Sequence, residues 1–304
     1  MSVATVGFIG LGNMGGALAV NLVQRGHHVV AHDAAGPGRA PAGAAFAKDV
    51  AEVARRARTV VFSLPDGQIS EKVAREVAET AGRRAGYIVD TSTVGVAAAR
   101  RIAEVLAAEG IGYTDAPVSG GVAGARARTL TVMYAAPDGV CAAVEPVLAD
   151  LSDRRRRVGD RQGMAQALKL ANNFLSAAAL AATSEAVAFG RAAGLDPELL
   201  LDVVNASSGR SGATEDKFPR HVLTGHYDSG FANSLMAKDV DLYLRTAAEL
   251  DVPDEVGALV GALWRRFADA EPGADFTRVY PFVEAHGGIR NGDGRSLASP
   301  QSRE

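Results

Sequence analysis

The chain has 304 residues, enough for more than one domain. Hydrophobic residues at 47% and charged residues at 22% exclude a disordered chain, and a net charge of −3 gives no reason to expect a nucleic acid or a membrane surface as partner. A single cysteine, Cys141, cannot close an internal disulfide, so a reducing cytoplasm is expected. The apolar stretch 4–16 is broken by glycines and lacks a basic leader, so it does not read as a secretory signal. The Ala-rich run 173–190 contains Glu185 and several hydroxyls, which favours a buried helix over a membrane span.

In chain order, β-branched runs at 5–9, 28–31, 59–64 and 86–89, with weaker ones at 112–113 and 130–134, predict strands. Between them, 15–25, 49–56, 69–81 and 96–109 predict helices. Strands alternating with helices imply a doubly wound, Rossmann-type parallel sheet covered on both faces. Past about residue 163 the strand signals stop. One long helix is expected over 164–193, closed by Gly194, and Asp196-Pro197 opens the next. Further helices are expected at 234–250, 254–269 and 275–286. The expected organisation is a dinucleotide-binding domain over 1–163, an all-helical domain over 164–287 that begins with the linking helix, and a flexible tail over 288–304.

Gly10-Leu11-Gly12-Asn13-Met14-Gly15 follows the first strand and opens the first helix. Gly10 permits a tight turn, Gly12 lets the backbone approach a pyrophosphate, and Gly15 lets helix and strand pack closely. The pyrophosphate would rest on free amides at the positive end of the helix. Asp33, at the end of the second strand, suits ribose hydroxyls and repels a 2′-phosphate, while Ala34 and Ala35 supply no cation for one. NAD is therefore expected ahead of NADP, with Arg39 the cation to watch nearby. Ser63-Leu64-Pro65-Asp66 and Asp90-Thr91-Ser92-Thr93 lie where such a sheet places its ligand, and Leu64, Pro65 and Thr93 become candidate cofactor contacts. Either loop taken alone is equally well an N-capped strand-to-helix turn.

Lys169 stands inside an apolar helix, four residues before Asn173 and so on the same face, with Asn172 at its border. A lysine that loses its hydration gives up its proton more readily and can act as a general acid/base. A lysine snorkelling from a helix edge is the plain alternative. Ser119-Gly120-Gly121 can present backbone amides to an anion, although a simple Gly-Gly turn has the same sequence. The six histidines are scattered without metal-ligand spacing, so no metal site is expected. The arginines at 154–157 read as a solvated loop.

Taken in order, the glycine motif from Gly7 to Gly15, Asp115-Ala116-Pro117-Val118-Ser119-Gly120-Gly121, Lys169-Leu170-Ala171-Asn172-Asn173 and Lys238-Asp239 resemble the β-hydroxyacid dehydrogenases, over residues 3–286. The resemblance implies that Lys169 moves the proton, Asn173 orients the substrate and Ser119-Gly120-Gly121 anchors its carboxylate. It places Lys238 near the nicotinamide end of the cofactor. Residues 163–165, Arg128 and Ala135-Ala136 depart from glycines common in the family. The implied reaction is hydride transfer between NAD(H) and a small anionic substrate, a 3-hydroxyisobutyrate-like acid or its semialdehyde. An imine reductase, or a dinucleotide-binding protein without turnover, is the competing expectation. The long, weakly charged helix needs apolar cover, which predicts a homodimer or homotetramer.

Overall fold

The computed structural model describes residues 4–285. Among these residues the sheet has nine strands in the order β3-β2-β1-β4-β5-β6-β8-β7, with β9 paired to β8. The strands are β1 (Thr5–Ile9), β2 (His28–His32), β3 (Ala45–Phe46), β4 (Thr59–Phe62), β5 (Tyr87–Asp90), β6 (Gly112–Asp115), β7 (Val118–Ser119), β8 (Thr131–Ala135) and β9 (Arg154–Gly159). From β3 through β6 every pairing is parallel, and β8 then runs antiparallel to both β6 and β7. The helices are α1 (Asn13–Gln24), α2 (Val50–Arg56), α3 (Gly67–Glu79), α4 (Val96–Ala108), α5 (Gly121–Arg126), α6 (Asp138–Leu151), α7 (Met164–Ala192), α8 (Pro197–Asn205), α9 (Asn233–Glu249), α10 (Glu255–Ala270) and α11 (Val279–Ala285).

The central strands bury both faces, because successive side chains point to opposite sides. Ile9, Val60, Phe62 and Ile88 join Val53, Val73, Ile102 and Leu106 of α2, α3 and α4. Their neighbours Phe8, Val61 and Val89 join Leu18 and Leu22 of α1 and Val144 and Leu148 of α6. Burial on both sides explains why these strands read as continuous apolar runs rather than as alternating patterns. The strand C-termini therefore end together, at Asp90 and Asp115 on adjacent strands.

The arginine run is not a loop. It forms β9, parallel to β8, with Arg154 opposite Thr131. Arg155 bonds Glu145 at 3.0 Å, and Arg157 bonds Asp138 at 2.5 Å. Carboxylates on α6 supply counter-charges, and edge strands carry charge readily. Helix α6 is absent from the expected elements because Pro146, inside it, interrupts the helical pattern.

The described chain forms two compact units. The first gathers residues up to 175 with 235–261, and so holds the sheet, the first part of α7, most of α9 and the start of α10. In it Phe174 stacks on Tyr243 at 4.4 Å between ring centroids. The second holds 176–234 and the chain from 262 onward. Its core is aromatic: Trp264 and Phe267 are fully buried, and Trp264 Nε1 donates to the Ala177 carbonyl at 3.3 Å. A π-helix, Ala213–Val222, accommodates Pro219 in this unit. No helix among the described residues is long and apolar enough to cross a membrane.

Candidate active site

The turn after β1 depends on two of its glycines for shape. Gly10 has φ +94°, and a Cβ there would lie 2.2 Å from the Ser63 carbonyl oxygen. At Gly15 a Cβ would come within 2.0 Å of the Gly10 oxygen. At Gly12 it would meet nothing within 4 Å. That open side lies at the first turn of α1, formed by Asn13 and Met14, where a pyrophosphate can reach unpaired amides. The residues present fit a dinucleotide.

Asp33 is buried, and both of its oxygens brace the backbone. Oδ2 accepts from Leu11 N at 2.6 Å and Oδ1 from Ala35 N at 2.8 Å. Each oxygen retains lone-pair capacity for a ribose hydroxyl. The cation that Ala34 and Ala35 lack comes from Arg39. Gly36, at φ +95°, turns the chain into the short helix Pro37–Arg39, which sets Arg39 Nη1 3.6 Å from Asp33 Oδ1.

The loops after β4 and β5 are tied together. Leu64 N donates to Ser92 Oγ at 2.7 Å. Lys238 Nζ donates to the Pro65 carbonyl at 3.2 Å and the Thr93 carbonyl at 2.9 Å, so one ammonium spans both loops. The structure thus joins Leu64, Pro65, Thr93 and Lys238, which the sequence offers only as separate candidates.

Lys169 is 7% exposed, and no hydrogen bond holds its Nζ among the described residues. Burial lowers its pKa below the usual lysine range, and Lys238 adds to the shift while Asp239 opposes it. One turn on, Asn173 donates from Nδ2 to Asp239 Oδ2 at 2.6 Å and accepts from Asn172 Nδ2 at 3.1 Å. Asp239 is buried, with Oδ1 3.3 Å from Lys238 Nζ in a geometry that makes no hydrogen bond. Asp239 therefore fixes the Asn173 amide, a role that its position beside Lys238 does not reveal in the sequence. The arrangement offers a desolvated amine one helical turn from an oriented amide, and such an amine can exchange a proton with a reacting group.

Ser119 ends β7, and Gly120 and Gly121 follow with φ of +129° and +67°. Two consecutive positive φ angles favour glycine strongly. No hydrogen bond links this loop to the lysine network among the described residues.

Beneath the loops lies an acid pair that sequence reasoning leaves without a role. Asp90 and Asp115 face each other in register and are fully buried. Burial raises them to about 6 and about 7 respectively. Tyr113 Oη donates to Asp90 Oδ2 at 3.3 Å, and Ser92 N to Asp90 Oδ1 at 3.0 Å. The same burial pushes the Tyr113 phenol well above its ordinary pKa.

Two family models match the chain. The NAD binding domain of 6-phosphogluconate dehydrogenase matches residues 5–159, and the NAD-binding domain of NADP-dependent 3-hydroxyisobutyrate dehydrogenase matches 163–283. The chain is 37% identical over 253 residues to 2-(hydroxymethyl)glutarate dehydrogenase of Eubacterium barkeri, covering 82% of this chain and 84% of that protein. It is 36% identical over 288 residues to 3-hydroxyisobutyrate dehydrogenase of Pseudomonas aeruginosa, covering 90% and 96% respectively. Among solved structures, Mycobacterium tuberculosis 3-hydroxyisobutyrate dehydrogenase with L-serine superposes with a TM-score of 0.86 at 29% identity, covering 93% of this chain and 99% of that one.

Proposed function

The chain belongs to the β-hydroxyacid dehydrogenase family, oxidoreductases acting on CH–OH groups, and we propose that it moves a hydride between NAD(H) and a small 3-hydroxy acid or the matching semialdehyde. The observation that carries this reading is Lys169, buried and free of hydrogen bonds among the described residues, one helical turn from an Asn173 that Asp239 holds in place. When bound, the nicotinamide supplies the hydride acceptor or donor. In the oxidising direction, neutral Lys169 takes the hydroxyl proton at Nζ; in the reducing direction, the ammonium returns it. Asn173 orients the reacting oxygen. Ser119, Gly120 and Gly121 anchor the carboxylate through amides and a hydroxyl.

The names of the relatives support the substrate class. The Mycobacterium tuberculosis protein was solved with L-serine, which carries a hydroxyl at C3 and a carboxylate at C1. The Asp33 carboxylate keeps acceptor capacity for ribose hydroxyls on both oxygens, even with Arg39 3.6 Å from Oδ1, and this supports NAD over NADP. Exposed apolar side chains on α7 (Leu175, Phe189), α8 (Leu199, Val203) and α10 (Val256, Leu259) support a homodimer or homotetramer. The lone Cys141, buried and donating to the Ala136 carbonyl, supports a reducing cytoplasm.

The test is a panel of 3-hydroxy acids and semialdehydes offered with NAD and with NADP, followed by the absorbance of the reduced nicotinamide. Turnover of at least one carboxylate-bearing 3-hydroxy acid is expected. Folded protein that binds NAD and turns over none of them would end this reading.

A further inference from the structure

Three residues before Lys169, α7 carries Gln166, which is fully buried. Its side chain makes three hydrogen bonds to one short loop. Oε1 accepts from Val94 N at 2.9 Å and from Gly95 N at 3.2 Å, while Nε2 donates to the Ser92 carbonyl at 3.0 Å. Its backbone amide, in the first turn of α7, donates to Asp115 Oδ2 at 3.1 Å. Residues at i, i+3 and i+7 share a helical face, so Gln166, Lys169 and Asn173 form one stripe. The loop that Gln166 grips, residues 92–95, contains Thr93, whose carbonyl receives Lys238, and Ser92, whose hydroxyl receives Leu64 N.

We propose that Gln166 is a positioning residue that sets the rotation and height of α7, and with them Lys169 and Asn173, against the cofactor loop at 92–95. The inference rests on the reading of Lys169 as proton carrier. Few side chains other than glutamine meet the demand: an acceptor with two lone pairs and a donor on one planar group, at the end of two methylenes. Asparagine is one methylene short. Glutamate keeps the acceptor but cannot donate to the Ser92 carbonyl, and methionine keeps the length but makes none of the three bonds. Asp115 completes the clamp from below by meeting an amide that the helix itself leaves free.

Loss of such a clamp misplaces the proton carrier, and a misplacement of about 1 Å can cost about 100-fold in rate. Gln166→Met should lower kcat about 10–100-fold, while the KM for the hydroxy acid changes less, because Asn173 shifts with α7 but the proposed carboxylate anchor at Ser119-Gly120-Gly121 is untouched. Gln166→Glu, which still accepts from both amides, should fall between Gln166→Met and wild type. A second readout needs no variant: in the wild-type protein the Val94 and Gly95 amides should be protected from hydrogen exchange, with the Gln166 side chain as their acceptor among the described residues. Wild-type kcat in folded Gln166→Met, or Val94 and Gly95 amides that exchange like those of an exposed loop, overturns the proposal. Should Lys169→Ala retain turnover, the proton-carrier reading falls by itself, since amide exchange at 94–95 does not depend on which residue carries the proton.

Discussion

Replacing Lys169 tests the mechanism where it is most exposed to error. The side chain is 7% exposed and without a hydrogen-bond partner among the described residues, so Lys169→Ala breaks no hydrogen bond, although it takes one cation away from the buried Asp239 carboxylate. It removes the group proposed to move the proton, a role worth about 10²–10⁴-fold in kcat, or about 3–5 kcal/mol of barrier. The dissociation constant for NAD should stay close to wild type, because the pyrophosphate turn at Gly10–Gly15 and Asp33 are unaltered. Lys169→Arg should not restore turnover, since a guanidinium remains protonated and cannot accept a proton near neutral pH. The pH profile adds a sign. Burial lowers the Lys169 pKa, so oxidation should rise with pH through a limb below the usual lysine value as the amine becomes neutral. That limb should vanish in Lys169→Ala. The assay is steady-state kcat across pH together with NAD binding measured by calorimetry. Near-wild-type turnover in folded, NAD-binding Lys169→Arg would mean that another group carries the proton.

The remaining predictions concern the cofactor, pH and assembly. Wild-type protein should give a higher kcat/KM with NAD than with NADP, and Asp33→Ser combined with Ala34→Arg should shift the ratio toward NADP, helped by Arg39, which lies 3.6 Å from Asp33 and is released by its loss; better wild-type activity with NADP would refute the ribose assignment. Asp115 sits at about 7 in the folded protein against an ordinary 3.8, so between those values the folded state holds a proton that the unfolded state has lost, and its contribution to stability falls as pH rises. Asp115→Asn cannot ionise and still offers an acceptor to Gln166 N, so its Tm relative to wild type should climb from about pH 5 to pH 8; a difference independent of pH would show that Asp115 titrates normally. Light scattering at micromolar concentration should give a dimer or tetramer mass, and a monomer would contradict the reading of the exposed apolar side chains on α7, α8 and α10.

Much of the frame was legible in the sequence because local chemistry decides it. The turn from Gly10 to Gly15 and the acid at Asp33 are set by backbone sterics and by neighbours within one βαβ unit. The long helix, expected over 164–193 and found at Met164–Ala192, follows from unbroken propensity ended by Gly194 at φ +87°. Lys169 and Asn173 share a face because the helical period makes them do so. Only tertiary structure could decide the partners. Asp239 reaches Asn173 across 66 residues, Gln166 reaches Val94 across 72 and Asp115 across 51. A polar side chain looks the same in a sequence whether solvent or a buried amide meets it, so neither the clamp at Gln166 nor the acid pair shows a local pattern. The arginines of β9 make the same point. Their charge alone suggests a solvated loop, and what makes them a strand is the open edge of β8 together with the carboxylates of α6, which exist as neighbours only once the sheet has formed.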